Sequence, residues 1–575
     1  MIEHPRPESQ GNRSLLVVVD SHGSYTDTSI VDETVLVALH HFGLPFRLHD
    51  LAKETLTSKV LEGCAAVVIA QARLGDRLSA GEADLLAEAV RGQGLGLVNM
   101  DGHLHPYPGG LLELMELDVE PIPLFSDRLR IGNETHFIAH NQRAGELVDL
   151  HRPLPFAQVK RIGSHVSTLV EAVMGKDQLI YARHHAPETA YEPGHYPAVL
   201  AAPCGRGRVV QFTWSPRIWL QDFLGHGMGL DGFFWRAIVW AARKPFVAQL
   251  MPPMVTFRID DAVGRHDLRY AKVIAERRHR PLVSCFVHEL PDRLMPFMRT
   301  MHEKEKVDWD AHALSYYQLI PFQFGVGEYD RERLSAIFEQ VDDWYAKLGF
   351  EPPGTAYFHW GECGVRVLEF LKARGRRFLF CPYHLGQLKP ERLFPNFWPY
   401  RLNSFFYDYA PEDPDIYVVG ATLPRHLMAH DMLTGCTTWA GERPANDMEK
   451  AADRASTGVG LALESGFFAE ILTHEQKLGV LSLDEIDRWI AGIDERLSGY
   501  DPRLVGHERA VTYTKARDES WISASSASAK GAIELSMAGE SSIAQELAVF
   551  VDEGDGVRRR WAEIPAFEGA IEVSL

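Results

Sequence analysis

The sequence predicts a multidomain α/β protein, with an N-terminal doubly wound sheet, a central (β/α) barrel and a small C-terminal antiparallel β-domain. Three observations lead there. Short apolar, β-branched runs alternate with amphipathic helical patterns over residues 14–248 and again over 249–505. In the second alternation, groups able to bind a metal or move a proton stand at the C-terminal ends of successive strands. From residue 506 onward, short alternating stretches separated by Gly, Ser and Asp replace the helical period.

Composition narrows the function classes. With 575 residues, 46% hydrophobic and 24% charged, the chain can bury several cores. A net charge of −19, with no Lys/Arg block, disfavours non-specific attachment to nucleic acid or anionic lipid and points to small-molecule or oligosaccharide partners. The six cysteines (Cys64, Cys204, Cys285, Cys363, Cys381 and Cys436) form no CxxC pair, so reduced, buried thiols are expected. The polar N-terminus lacks the apolar core of a signal peptide, and no run is long enough to span a bilayer. A cytoplasmic location is the expectation.

In chain order, residues 1–13 read as a disordered tail. Strands follow at Leu15–Val19, about 45–51, Ala65–Ala70 and Gly94–Gly102, with a helix over about 29–42 between the first two. Ser79-Ala-Gly-Glu82 is a capping box opening a helix that stops near Gly92. Val199–Phe212 reads as two strands around Gly205-Arg206-Gly207, as a hairpin turn or a phosphate loop, and Phe233–Ala242 as an aromatic helix. His103 and His105 stand at a strand's C-terminal end, where open α/β sheets bind ligands.

Together these elements resemble the class I glutamine-amidotransferase-like domains of the trehalose-utilisation type over about residues 14–245. The resemblance implies a flavodoxin-like sheet and a tendency to associate, hence a homodimer. True amidotransferases carry a Cys on a sharp strand-to-helix turn. Here that exit is Ala70-Gln-Ala-Arg73, and Cys64 precedes the strand.

Pro245, Pro252 and Pro253 mark the boundary to the second alternation. Its strands are read at Val255–Ile259, Leu282–Val287, Val307–Ala311, Thr355–Phe358, Arg377–Cys381, Ile416–Gly420 and Phe467–Leu472. Their ends carry Asp260 and Asp261, His288-Glu289, His312, His359 with Glu362, His384, and His474-Glu475. A metal-dependent hydrolase needs one carboxylate for the cation and another to take a proton from the attacking water. Two acids where a strand turns can supply both. Ser482-Leu-Asp-Glu485 caps a further helix, whose stripe of Ile486, Trp489, Ile490, Ile493 and Leu497 is core.

The stretch Met254–Gly264, ending its strand in Asp-Asp, resembles the first motif of the NodB-like polysaccharide deacetylases, and Leu472-Thr-His474 resembles their last, Leu-x-His. The resemblance implies a distorted (β/α) barrel, Asp260 as base, Asp261 as metal ligand and His474 as the acid that protonates the leaving amine. His312 matches the first ligand of the second motif, but Tyr316 stands where the family has another His four residues on. A third ligand then comes from His359 or, alternatively, His430. The family's Arg on the third-motif strand is missing from Tyr357-Phe-His-Trp-Gly361, leaving Asp260 without an assigned partner. Trp309, Tyr316, Tyr317 and Trp360 are candidate platforms for a sugar ring, with Glu362 beside them.

These residues point to a hydrolase that uses a divalent cation, zinc foremost, to remove an N-acyl group, N-acetyl foremost, from an amino sugar, oligosaccharide or glycoconjugate. The alternatives are a metal-free amidohydrolase acting on a non-sugar C–N bond and a catalytically decayed carbohydrate-binding protein. At the C-terminus, alternation predicts strands at Ala510–Thr514, Ala532–Ser536 and Leu547–Val551, within a β-sandwich-like domain of residues 506–575.

Overall fold

The structure, a computed structural model, describes residues 8–133, 135–175, 193–220, 222–323, 326–361, 363–380, 407–410, 413–419, 432–433, 436–437, 442–443, 447–528, 531–554 and 556–575. The chain divides into two compact units, one of residues 1–250 together with 516–575 and one of residues 251–515. Among the described residues no helix is long and apolar enough to cross a membrane.

The first unit is built on a nine-stranded sheet. Its parallel half runs Phe46–Asp50, Leu15–Val19, Ala66–Ile69, Gly96–Asn99 and Gly207–Phe212. The first four match the expected alternation. Its other half is antiparallel, continuing through Gly194–Cys204, Ser167–Met174, Leu124–Ile131 and Leu147–Phe156. Three of these strands escape a search for apolar runs because they mix buried positions with half-buried or exposed ones, as in Leu-Phe-Ser-Asp-Arg-Leu-Arg-Ile.

Local chemistry accounts for several boundaries. The helix Ala80–Gln93 opens on the expected capping box, Glu82 N–H donating to Ser79 Oγ (3.2 Å) and Ser79 N–H to Glu82 Oε2 (3.0 Å). It closes on Gly94 at φ 73°, a left-handed cap that glycine adopts without penalty. Ser79→Ala should cost about 1 kcal/mol, read as a lower urea midpoint at unchanged slope. Gly205 opens a tight hairpin that pairs Cys204 with Gly207, so this stretch is a turn and not a phosphate loop. Burial pushes the Cys64 thiol up to about 11, the opposite of an activated nucleophile.

Two expectations at the chain ends are corrected. Within the supposed tail, Ser9 N–H donates to Phe46 O and Gln10 N–H to Ser523 O, both at 2.8 Å, so residues 9–13 are pinned to the first unit. Residues 1–7 lie outside the described residues. The predicted strand at 510–514 is part of the helix His507–Asp518. Its buried residues are His507, Ala510, Val511, Tyr513, Thr514, Ala516 and Arg517, a pattern of i, i+3, i+4 and i+7 neighbours that the local alternation masks.

The C-terminal strands form two three-stranded antiparallel sheets around Val247, Ile522, Leu535, Met537, Leu547 and Val549. One of the sheets is completed by Phe246–Ala248, which pairs with Gln545–Glu553. The module therefore joins the first unit and does not stand alone as residues 506–575, because its third strand comes from nearly 300 residues upstream.

The second unit contains the expected parallel strands, arranged as two sheets among the described residues. One runs Asp308–Ala313, Pro281–Phe286, Met254–Ala262 and Ala469–His474. The other runs Thr355–Tyr357, Phe378–Phe380 and Asp413–Val419, with Tyr407–Ala410 antiparallel at its edge. Where the ladder breaks between Asp308–Ala313 and Thr355–Tyr357, the buried Asp310 carboxylate spans the seam. It accepts from Tyr357 N–H (3.2 Å) and Tyr345 Oη–H (3.0 Å) and pairs with Arg376 (2.6 Å). The helix Leu483–Leu497 buries Ile486, Trp489, Ile490, Ile493 and Leu497, as its stripe predicts.

Candidate metal centre

The strand Met254–Ala262 is buried throughout although it contains Arg258, Asp260 and Asp261. Regular alternation would send the two aspartates to opposite faces. The pairing with Pro281–Phe286 slips between Ile259 and Ala262, and Asp261 takes a left-handed φ of 60°. This bulge lets consecutive carboxylates serve neighbouring places.

Asp261 Oδ1 lies 3.4 Å from His312 Nε2 and 3.0 Å from His359 Nδ1, and one ligand atom from each residue falls within 4.8 Å of the others. His312 ends the central part of Asp308–Ala313, and His359 follows Thr355–Tyr357, so three strand ends converge. All three side chains are buried. Asp261 Oδ1 makes no hydrogen bond among the described residues despite the nearby rings.

Tautomer and charge suit a cation. The Tyr357 carbonyl lies 3.1 Å from His312 Nδ1 and can only accept, so Nδ1 carries the proton and Nε2 presents its lone pair inward. Burial lowers His359, keeping the ring neutral and available as a ligand. Two imidazoles and one carboxylate are donors that could together hold a divalent metal ion.

Asp260 lies beside this trio. Its Oδ1 is buried without a hydrogen-bond partner among the described residues, and its Oδ2 is 3.0 Å from Arg258 Nη1. In the parallel pairing Asp260 is the register partner of His474, which caps the strand Ala469–His474. Base and acid candidates thus meet at the same sheet end.

Arg258, the residue that sequence reasoning missed, is buried between carboxylates. Its Nη2 donates to Glu470 Oε1 at 3.1 Å, and its guanidinium lies 3.4 Å over the Tyr357 ring. Glu470 also meets His507 Nε2 at 2.7 Å. Burial alone would raise Glu470, yet Arg258 and His507 hold it at about 2. The signal was available: an arginine in an otherwise apolar strand, two residues before Asp260, points to the same face as that carboxylate.

The remaining candidates divide. Tyr316 stands at the rim. Its half-exposed ring sits 5.6 Å from His359, with exposed Tyr317 beside it at 4.8 Å and half-exposed Trp360 at 5.7 Å from His359, forming an aromatic rim. Trp309 is corrected from platform to core. It is fully buried, and its Nε1–H donates to Met298 O at 3.1 Å. His288 and Glu289 are exposed, Glu289 accepting from Tyr316 N–H. His103 and His105 belong to the first unit, on the loop after Gly96–Asn99, where His103 N–H donates to Asp101. Glu362, His384 and His430 lie outside the described residues.

No family model and no curated protein matches the chain. Solved structures do. A cytoplasmic protein of Salmonella typhimurium LT2 matches at 12% identity, over 40% of this chain and 98% of its own, with a TM-score of 0.26. A CE4 esterase of Streptococcus mutans matches at 11% identity, over 43% and 83%, with a TM-score of 0.27. A peptidoglycan deacetylase of Bacillus subtilis matches at 13% identity, over 46% and 94%, with a TM-score of 0.23. Scores this low carry no argument about function.

Proposed function

We propose that the second unit is a metal-dependent hydrolase that removes an N-acyl group, N-acetyl foremost, from an amino sugar, oligosaccharide or glycoconjugate. The supporting observation is the convergence of Asp261 Oδ1, His312 Nε2 and His359 Nδ1 beside a buried carboxylate whose Oδ1 has no partner among the described residues. A divalent cation such as zinc, when bound, supplies Lewis acidity toward water and an acyl oxygen.

The chain's own residues supply the rest. Asp260 Oδ1 accepts the proton of the attacking water, and Arg258 holds the other oxygen. His474, in register with Asp260, donates a proton to the departing nitrogen. Tyr316, Tyr317 and Trp360 offer aromatic faces for the apolar side of a sugar ring at the rim.

The test is elemental analysis of the purified chain beside His312→Ala. About one equivalent of zinc in the parent, lost in the variant, is the expected result. Acetate release from N-acetylated amino sugars should follow the metal through chelation and reconstitution. A parent that stays metal-free after reconstitution, yet cleaves other amides, would replace this reading with the metal-free amidohydrolase. Saccharide binding without turnover would replace it with the binding protein.

A further inference from the structure

The strand Ala469–His474 continues to serve the centre after it ends. The next two residues, Glu475 and Gln476, both reach the segment that carries Asp261. Gln476 Nε2 donates to Asp261 Oδ2 at 2.9 Å, while Oδ1 is the oxygen that faces the imidazoles. The amide divides the carboxylate, engaging one oxygen and leaving the other to the centre.

Glu475, with no exposed surface, accepts from three consecutive backbone N–H groups, those of Val263 (2.7 Å), Gly264 (3.1 Å) and Arg265 (2.9 Å). The Tyr270 hydroxyl donates to it as well, at 2.7 Å. This clamp fixes the turn that immediately follows Asp261, whose left-handed φ is unfavourable for a residue with a side chain. Gly264, at φ 96°, completes the turn where a Cβ would lie 2.6 Å from Leu294 Cδ1.

We propose, on the reading of Asp261, His312 and His359 as a metal centre, that Gln476 is a positioning residue that confines Asp261 to ligation through one oxygen, while Glu475 holds the turn that presents it. A carboxylate free to use both oxygens suits larger, oxygen-preferring cations. Confined to one oxygen beside two imidazoles, it suits zinc. Gln476 thereby biases the centre toward zinc over calcium and magnesium.

The experiment titrates zinc into the metal-stripped full chain against a chromophoric chelator, for the parent, Gln476→Leu, Gln476→Met and His312→Ala. The visible spectrum of the cobalt-loaded forms and the melting temperature of the metal-free forms are recorded alongside. The Gln476 variants should bind zinc about 10–100-fold more weakly and shift the cobalt spectrum, with their metal-free melting unchanged. Glu475→Gln, which keeps the size of the clamp and removes its charge, should weaken zinc in the same direction.

The outcomes separate the two readings. Parent-like affinity and spectrum in both Gln476 variants, with zinc lost in His312→Ala, would overturn the role of Gln476 and leave the centre standing. A parent that binds no zinc would overturn the centre itself and the inference with it. Weakened zinc binding accompanied by an equal loss of metal-free stability would make Gln476 a structural residue, against the proposal.

Discussion

Turnover by Asp260→Asn is expected to fall by about 10²–10⁴-fold while its metal content stays that of the parent. Asparagine reproduces the shape of the side chain but cannot take a proton from water. The buried Asp260 Oδ1 makes no hydrogen bond among the described residues, and an asparagine carbonyl can still face Arg258 in place of Oδ2. The ligand atoms belong to Asp261, His312 and His359, which the substitution leaves in place. Steady-state rates on an N-acetylated amino sugar, measured beside elemental analysis, check both halves. Rates close to the parent would remove Asp260 from the role of base, and loss of the metal would make it a ligand.

Arg258→Met should destabilise the chain by about 3–5 kcal/mol, because it leaves buried charge without its counter-ion. Asp260 and Glu470 lie on adjacent strands, both buried, and both are paired with this guanidinium. Methionine fills similar space and offers neither carboxylate a partner. The acid limb of unfolding should also move. Glu470 is held at about 2, below its unfolded value, so its contribution is complete above that unfolded value and is lost as pH falls toward 2. Without Arg258 the folded value rises toward the unfolded one, so this acid-dependent loss shrinks and the variant's stability differs less between pH 7 and pH 4. Urea melts at pH 7 and pH 4 measure both effects, and adding Glu470→Gln should recover part of the loss. A change below about 1 kcal/mol would show that the pair is compensated elsewhere.

How much of the centre was legible follows from what each residue does. Asp260, Asp261, His312, His359 and His474 share one plain signal, a polar group where an apolar run stops, and the structure places each at such an end. Tyr316, which stands where the resembled family has a second His and was read as a sugar platform, lies half-exposed near His359. Arg258 carries a local signal for Asp260 but none for Glu470, and nothing near Gln476 in the sequence marks Asp261 as its partner. Distance along the chain hid the union of Phe246–Ala248 with the C-terminal strands. Polar, half-exposed antiparallel strands escaped because their pattern is weak, and the helix His507–Asp518 because five residues of alternation mimic a strand.

The first unit's two segments carry a consequence for biosynthesis. Its β-module needs Phe246–Ala248 to meet Gln545–Glu553, and everything between belongs to the second unit or to the module's own later strands. At roughly 5–20 residues per second, the earlier strand leaves the ribosome about 15–60 s before its partner. During that interval its edge and the apolar Val247 have no mate within the module. The contiguous second unit can finish first, and a chaperone able to shelter one short apolar edge for under a minute would raise the yield of the whole chain.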